Sequence, residues 1–150
     1  MIFEQNIKVL FNQLDDHGKM VLSTSLNDQV TSRMMSVIIQ NRQFYFQTDI
    51  TFRKCEQLQY NSNVALCTDN IQIEGICEQI GKPIDYDFFC RLFRQYFSGS
   101  YDRYTNLENE RLFLVKPCFI QKWIYENGEP FIETFDFKTS KYTKKAYCAQ

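Results

Sequence analysis

From Met20 to Phe46 the chain is strand and turn with almost nothing between. "MVLSTSL" (20–26) runs into Asn27-Asp28, then Val30 to Ile39, then Asn41-Arg42, then Phe44, Tyr45 and Phe46. Two-residue connections leave no room for a crossover helix, which takes about a dozen residues or more. Successive strands here must therefore run antiparallel, with Asn and Asp supplying the turn conformations. The same reading applies to "VALCT" and "IQIEGICEQI", which are split by Asp69-Asn70. In the second of these, Ile71, Ile73, Gly75 and Cys77 face one way, and Gln72, Glu74 and Glu78 the other. Residues 111–126 read as a strand broken at Pro117, "ENGEP" as a tight turn, and Phe131 to Phe137 as a last strand. The basic tail "KTSKYTKKAYCAQ" carries no clear period.

Three helices complete the pattern. In residues 3–16, Phe3, Ile7, Leu10, Phe11 and Leu14 recur at helical spacing, and His17 and Gly18 read as its stop. A second helix starts after Thr51, a candidate N-cap, with Phe52, Cys55 and Leu58 as its apolar stripe, and ends at Asn61 to Asn63. A third runs from Asp85 to Phe97, with Asp85 and Asp87 in its first turn, and "SGSYDRYTN" after it reads as loop. The fold expected is mainly β with flanking helices: a six- to seven-stranded antiparallel sheet, wrapped into a closed or split barrel because so few helices separate the strands.

A length of 150 residues predicts one domain spanning 1–150. The net charge of −1 gives no global drive toward nucleic acid or anionic lipid. Glu4, Gln5 and Lys8 interrupt any signal-peptide core, and no apolar run approaches a membrane span, so a cytoplasmic protein is expected. None of the six cysteines forms a C-x-x-C pair and His17 is the sole histidine, so the thiols read as reduced and buried rather than as a zinc site. The 14 Phe and 9 Tyr could fill a core, but so many also suggest an aromatic pocket or an apolar subunit interface.

One placement breaks a local rule. Arg53 and Lys54 stand in the first turn of the second helix, where the dipole disfavours cations. Free N–H groups already make such an end an anion site. Thr48 and Thr51 add hydroxyls, and Arg33 reaches the same place if strands 30–39 and 43–48 form a hairpin. The set reads as a phosphate cradle. The alternative is a solvated basic helix start paired with Glu56 or Asp49. No G-x-x-x-x-G-K-[ST] or G-x-G-x-x-G motif is present. Met34, Met35, Ser36 and Val37 follow Arg33 on an apolar strand whose main chain could read the edge of a flat ring; for Met34 and Val37 a core role is the competing reading.

The ordered set "SRMMSV", "FYFQTD", "TFRK", "NVAL" and "IQIEG", between Lys19 and Phe135, resembles the FMN-binding split barrel of the pyridoxamine 5′-phosphate oxidase-like superfamily. The resemblance implies that Arg33 contacts the flavin phosphate, that Met34 to Val37 line the ring with backbone groups, and that Gln47 and Thr48, with Asp49 beside them, touch the ring edge and phosphate region. It implies further that Arg53 and Lys54 hold the phosphate, and that Trp123 packs at the cofactor from the partner subunit of a homodimer. For Trp123 an ordinary core or interface aromatic is the other reading. The expected chemistry is hydride or electron transfer from NADH or NADPH to a small organic acceptor. A flavin binder without turnover, or a barrel holding haem or a deazaflavin, stands as the alternative.

Departures from the true vitamin B6 oxidases are equally plain. Those enzymes carry a substrate lysine five positions after the first arginine, where this chain has Ile38. They also carry an arginine and a histidine shortly after the tryptophan; here the stretch is "YENGEPFIETF", with Glu129 and Phe131 near those positions. The resemblance is therefore to the short general-stress and nitroimidazole-resistance-type members, not to a pyridoxamine phosphate oxidase.

Overall fold

The computed structural model describes residues 2–148. In chain order it contains α1 (Ile2–Leu14), β1 (His17–Leu26), β2 (Gln29–Gln40), β3 (Gln43–Asp49), α2 (Arg53–Tyr60), β4 (Asn63–Thr68) and β5 (Ile71–Gly81). A short 3-10 turn, Pro83–Asp85, leads to α3 (Asp87–Tyr96), α4 (Ser98–Tyr104), β6 (Glu110–Glu126), β7 (Glu129–Asp136) and β8 (Lys141–Ala146). The strands form one antiparallel sheet in the order β3-β2-β1-β4-β5-β6-β7-β8, and β3 also pairs with β6. That extra pairing closes six strands into a barrel and leaves β7 and β8 as an extension. The result is a mainly β, antiparallel split barrel with flanking helices.

Turn chemistry sets the hairpins. Leu26 pairs with Gln29, Gln40 with Gln43 and Glu126 with Glu129, each across two residues. Both turn residues take positive φ in all three: Asn27 and Asp28 (52° and 65°), Asn41 and Arg42 (53° and 60°), Asn127 and Gly128 (52° and 81°). These mirror-image turns match the right-handed twist of the strands they join.

Period-two alternation then sorts the side chains into two cores. Phe44 and Phe46 on β3, Val37 and Ile39 on β2, and Phe113 and Val115 on β6 point into the barrel. There the Phe46 and Phe113 rings stack at 5.3 Å. α1 lays Phe3, Ile7, Leu10 and Leu14 against the same core. The intervening residues Ile38, Tyr45, Leu112 and Leu114 point outward and are covered by Phe89, Leu92 and Phe93 of α3.

Several local expectations are corrected. Six strands close the barrel, within the six to seven expected, and the sheet runs on to eight because the basic tail pairs with β7 from Phe131↔Ala146 to Asp136↔Lys141; the tail's last two residues, 149 and 150, lie outside the described residues. Pro117 does not break β6: it pairs with Gly75 at a register shift, where the sheet tolerates a missing donor. His17 is the first residue of β1 rather than the end of α1; the chain turns at Asp15 (φ 65°) instead. Asp85 falls in the 3-10 turn, and Tyr86 precedes α3. "SGSYDRY" is helical, not loop, with Tyr101 N–H donating to Phe97 O and Thr105 N–H to Tyr101 O. Its Gly and Ser residues have poor helix propensity; Phe97, non-helical at φ −134° and ψ 51°, ends α3 and opens α4, and the Thr105 hydroxyl beyond its end donates to Gln47 at 2.9 Å.

Candidate functional site

The sheet opens where β2 and β3 part. β2 pairs with β1 along the whole of Gln29–Ile38, yet with β3 only from Ile38 to Gln40. β3 turns away to pair with β6 over Phe44 to Asp49. From Arg33 to Val37, β2 therefore has β1 on one edge and no strand on the other, which leaves main-chain N–H and C=O groups free along that edge. A cleft of about 370 Å³ occupies the gap, a size common for small-molecule sites. Met34, Met35 and Ser36 form one wall and Gln47, Thr48 and Asp49 the other. Lys54 and Glu110 also line it, and Phe93, Tyr104 and Leu107 close the helical side.

At one end of the cleft stands the start of α2. Phe52 is its N-cap residue and makes no side-chain capping bond. Thr51 is not the cap: its main-chain N–H and its hydroxyl both donate to the Asp49 carboxylate, at 2.8 and 2.7 Å. Those two bonds hold the Asp49 carboxyl below its ordinary pKa. The first-turn N–H groups of α2 are thus left without a side-chain acceptor.

Three cations lie near one another at the start of α2; Lys54 lines the cleft, and Arg33 and Arg53 do not. The Arg33 guanidinium donates to Leu22 O at 3.2 Å and to the hydroxyls of Thr24 and Thr31 at 2.8 and 2.5 Å. Gln57 of α2 accepts from the same two threonines, so Arg33 is braced by a neutral network that joins β1, β2 and α2. Arg53 donates to Gln29 Oε1 at 3.3 Å, and the Lys54 ammonium lies 4.8 Å from the centre of the Phe52 ring. Burial, and after it the charge of Arg53, pulls the Arg33 pKa down. Burial also lowers Lys54, with Arg33 adding to the effect. Among the described residues, none of the three has a carboxylate within salt-bridge distance, so the pairing with Glu56 or Asp49 is not formed.

The remaining sequence candidates lie elsewhere. Val37 is fully buried in the barrel core, so its side chain does not enter the cleft. Trp123 lies on β6 beyond the cleft, where its N–H and C=O pair with Asn70 and its ring neighbours Tyr125 and Tyr147. A larger cavity of about 550 Å³ lies behind α2, beside Cys55, Leu58 and Cys77, but no cation lines it. Burial pushes these two thiols up to about 11 and 12, so both stay protonated and weakly nucleophilic at neutral pH. His17 stacks on Tyr96 at 3.5 Å and bonds Asp16, away from the cleft.

Sequence reasoning missed Glu110 and the α4 wall. Glu110 is 5% exposed and pairs directly with Asp49 across β6 and β3. Burial, and then the Asp49 charge, lifts its carboxyl to about 7. In the sequence it is one acid in the polar run "NLENE", and no local signal marks its burial.

Comparison with solved structures agrees with the architecture: this is the fold of the pyridoxamine 5′-phosphate oxidase-like FMN-binding split barrels. A pyridoxamine 5′-phosphate oxidase-related, FMN-binding protein from Nostoc punctiforme is similar with a TM-score of 0.61 and 13% identity, over 98% of this chain and 93% of that one. General stress protein 26 from Bacillus anthracis is similar with a TM-score of 0.59 and 21% identity, over 80% and 92%. HutZ, the haem storage protein of Vibrio cholerae, is similar with a TM-score of 0.57 and 15% identity, over 77% and 89%. At these identities the likeness is one of fold. No family model matches the sequence, and no curated protein matches it.

Proposed function

We propose that the chain binds FMN in the cleft between β2 and β3 and acts as a flavin-dependent oxidoreductase, passing hydride or electrons from NADH or NADPH to a small organic acceptor. The observation that carries this reading is the group of Arg33, Arg53 and Lys54 at the uncapped start of α2, without an ion-pair partner among the described residues. Three cations at the positive end of a helix repel one another and the dipole, and a phosphate placed among them removes that cost. Bound FMN would supply the redox chemistry. The chain would supply position: Lys54, Arg53 and the first N–H groups of α2 for the phosphate, with Arg33 behind them. The free edge of β2, with Gln47 and Thr48 opposite, offers donors and acceptors to the rim of a flat ring.

The cleft is open to solvent on one side, and its rim is apolar. Met34, Phe52, Tyr104 and Leu107 are 59%, 53%, 46% and 52% exposed. Such a rim supports a homodimer with the flavin at the subunit interface, where Trp123 of the partner subunit would pack on the cofactor. The haem reading draws on the likeness to HutZ, but the sole histidine is already stacked on Tyr96 and does not line the cleft. A deazaflavin would use the same phosphate cradle.

The test is the visible spectrum of the purified protein, recorded with and without added FMN. Retention of an oxidised-flavin spectrum is expected; a protein that stays colourless after incubation with FMN and desalting overturns the reading. Anaerobic stopped-flow mixing with NADH or NADPH then reads turnover. Bleaching of the bound flavin is expected, and its absence reduces the function to flavin binding alone.

A further inference from the structure

Asp49 and Glu110 form a directly opposed pair in the β3–β6 ladder and both line the cleft. Facing residues on neighbouring strands bring their Cβ atoms to about 4.5–5.5 Å, where two like charges repel. The two acids are not equivalent. Asp49 accepts two hydrogen bonds from Thr51, which favour its anion. Glu110 is buried beside the Gln47 side chain, whose own oxygen accepts from the Thr105 hydroxyl at 2.9 Å. Of the two, Glu110 is the one that keeps a proton.

The groups facing Glu110 define what changes that preference. β3 presents the Asp49 anion and the Gln47 amide, and α2 presents the Lys54 ammonium. On β6 itself, Arg111 is turned to the main-chain carbonyls of Glu108 and Glu110. The α4 side contributes the hydroxyl residues Ser100 and Tyr104 and no cation. Lys54 is thus the one cation acting on Glu110, and Lys54 is also the cation of the cleft best placed to meet a phosphate.

We propose that Glu110 is a ligand-linked proton site: when a phosphate-bearing flavin engages Lys54, Glu110 loses its counter-charge and takes up a proton, so that binding and protonation are coupled. The inference rests on the FMN reading above and adds to it a defined proton stoichiometry. Near pH 8 the phosphate is already a dianion, so its own titration does not contribute. Riboflavin, which carries no phosphate, leaves Lys54 with Glu110 and takes up no proton.

The experiment is isothermal titration calorimetry of the whole protein with FMN at pH 8, in two phosphate-free buffers of different ionisation enthalpy. Uptake of about half a proton or more per FMN is expected, with affinity falling by up to about tenfold per pH unit between pH 7.5 and 8.5, the limit for one linked proton. Both signatures should vanish in Glu110→Gln, which keeps the shape and the Gln47 contact. In Asp49→Asn, which removes the facing charge, the falling limb should begin at lower pH. FMN binding without proton uptake overturns the inference and leaves the FMN reading standing. Uptake that persists in Glu110→Gln overturns it too, because the proton then belongs to Lys54, whose ammonium is also destabilised by burial. No FMN binding at any pH overturns both.

Discussion

Replacing Lys54 by methionine isolates the charge at the start of α2. The apolar stem beside the Phe52 ring is retained, and the ammonium that lines the cleft is lost. A hydrogen bond to a charged group contributes about 1.5–3 kcal/mol. That corresponds to a loss of about 10- to 150-fold in FMN affinity. Riboflavin lacks the phosphate and should lose about threefold or less, within the range of a surface substitution. Arg53, exposed and held by Gln29, should cost FMN less than Lys54 does when replaced by alanine. The assay is quenching of flavin fluorescence on titration with protein, at one fixed pH for both ligands and all variants. Added salt should weaken FMN binding to the wild type more than to Lys54→Met, because the lost interaction is ionic. Equal weakening of FMN and riboflavin by Lys54→Met would refute the phosphate cradle and with it the reason offered for three cations at this helix start.

Three further outcomes follow from the same structure. The raised pKa of Glu110 means that the folded chain holds a proton that the unfolded chain has released, so stability should fall as pH rises from about 4.5 to 7; urea titrations of the apoprotein should show this slope reduced in Glu110→Gln, and an unchanged slope would contradict the assignment. Gly75→Ala places a Cβ 2.7 Å from both Lys116 O and Val115 Cγ1 at the β5–β6 register shift, and should cost about 1–3 kcal/mol in chemical denaturation. Trp123→Ala should weaken FMN severalfold although Trp123 does not line its own chain's cleft, and should shift sedimentation toward monomer; unchanged affinity and mass would remove the homodimeric site.

Much of the fold was legible because it is written in local pattern. Alternation in "IQIEGICEQI" assigns each side chain to a face, and from Ile71 to Glu78 the structure follows it. Asn27-Asp28, Asn41-Arg42 and Asn127-Gly128 mark the hairpins because few residues tolerate positive φ in succession. Misreadings arose where tertiary contacts override propensity. α4 forms from Ser and Gly residues where Phe97 both ends α3 and opens the next helix, and where Thr105, just beyond the end of α4, is anchored to Gln47. Thr51 fails as a cap because its side chain is turned back to Asp49, two residues earlier, and Phe52 takes the N-cap position.

By itself, the sequence determined the first seven strands, the tight turns between them and the cations at the start of α2, since each depends on residues close together in the chain. Only the tertiary structure decided that β3 leaves β2 for β6. That single exchange of partners closes the barrel, opens the cleft and sets Glu110 opposite Asp49 across 61 positions of sequence. The physical reason is that pairing between distant strands is chosen by the packing of both faces at once, and no local period encodes which edge is left free.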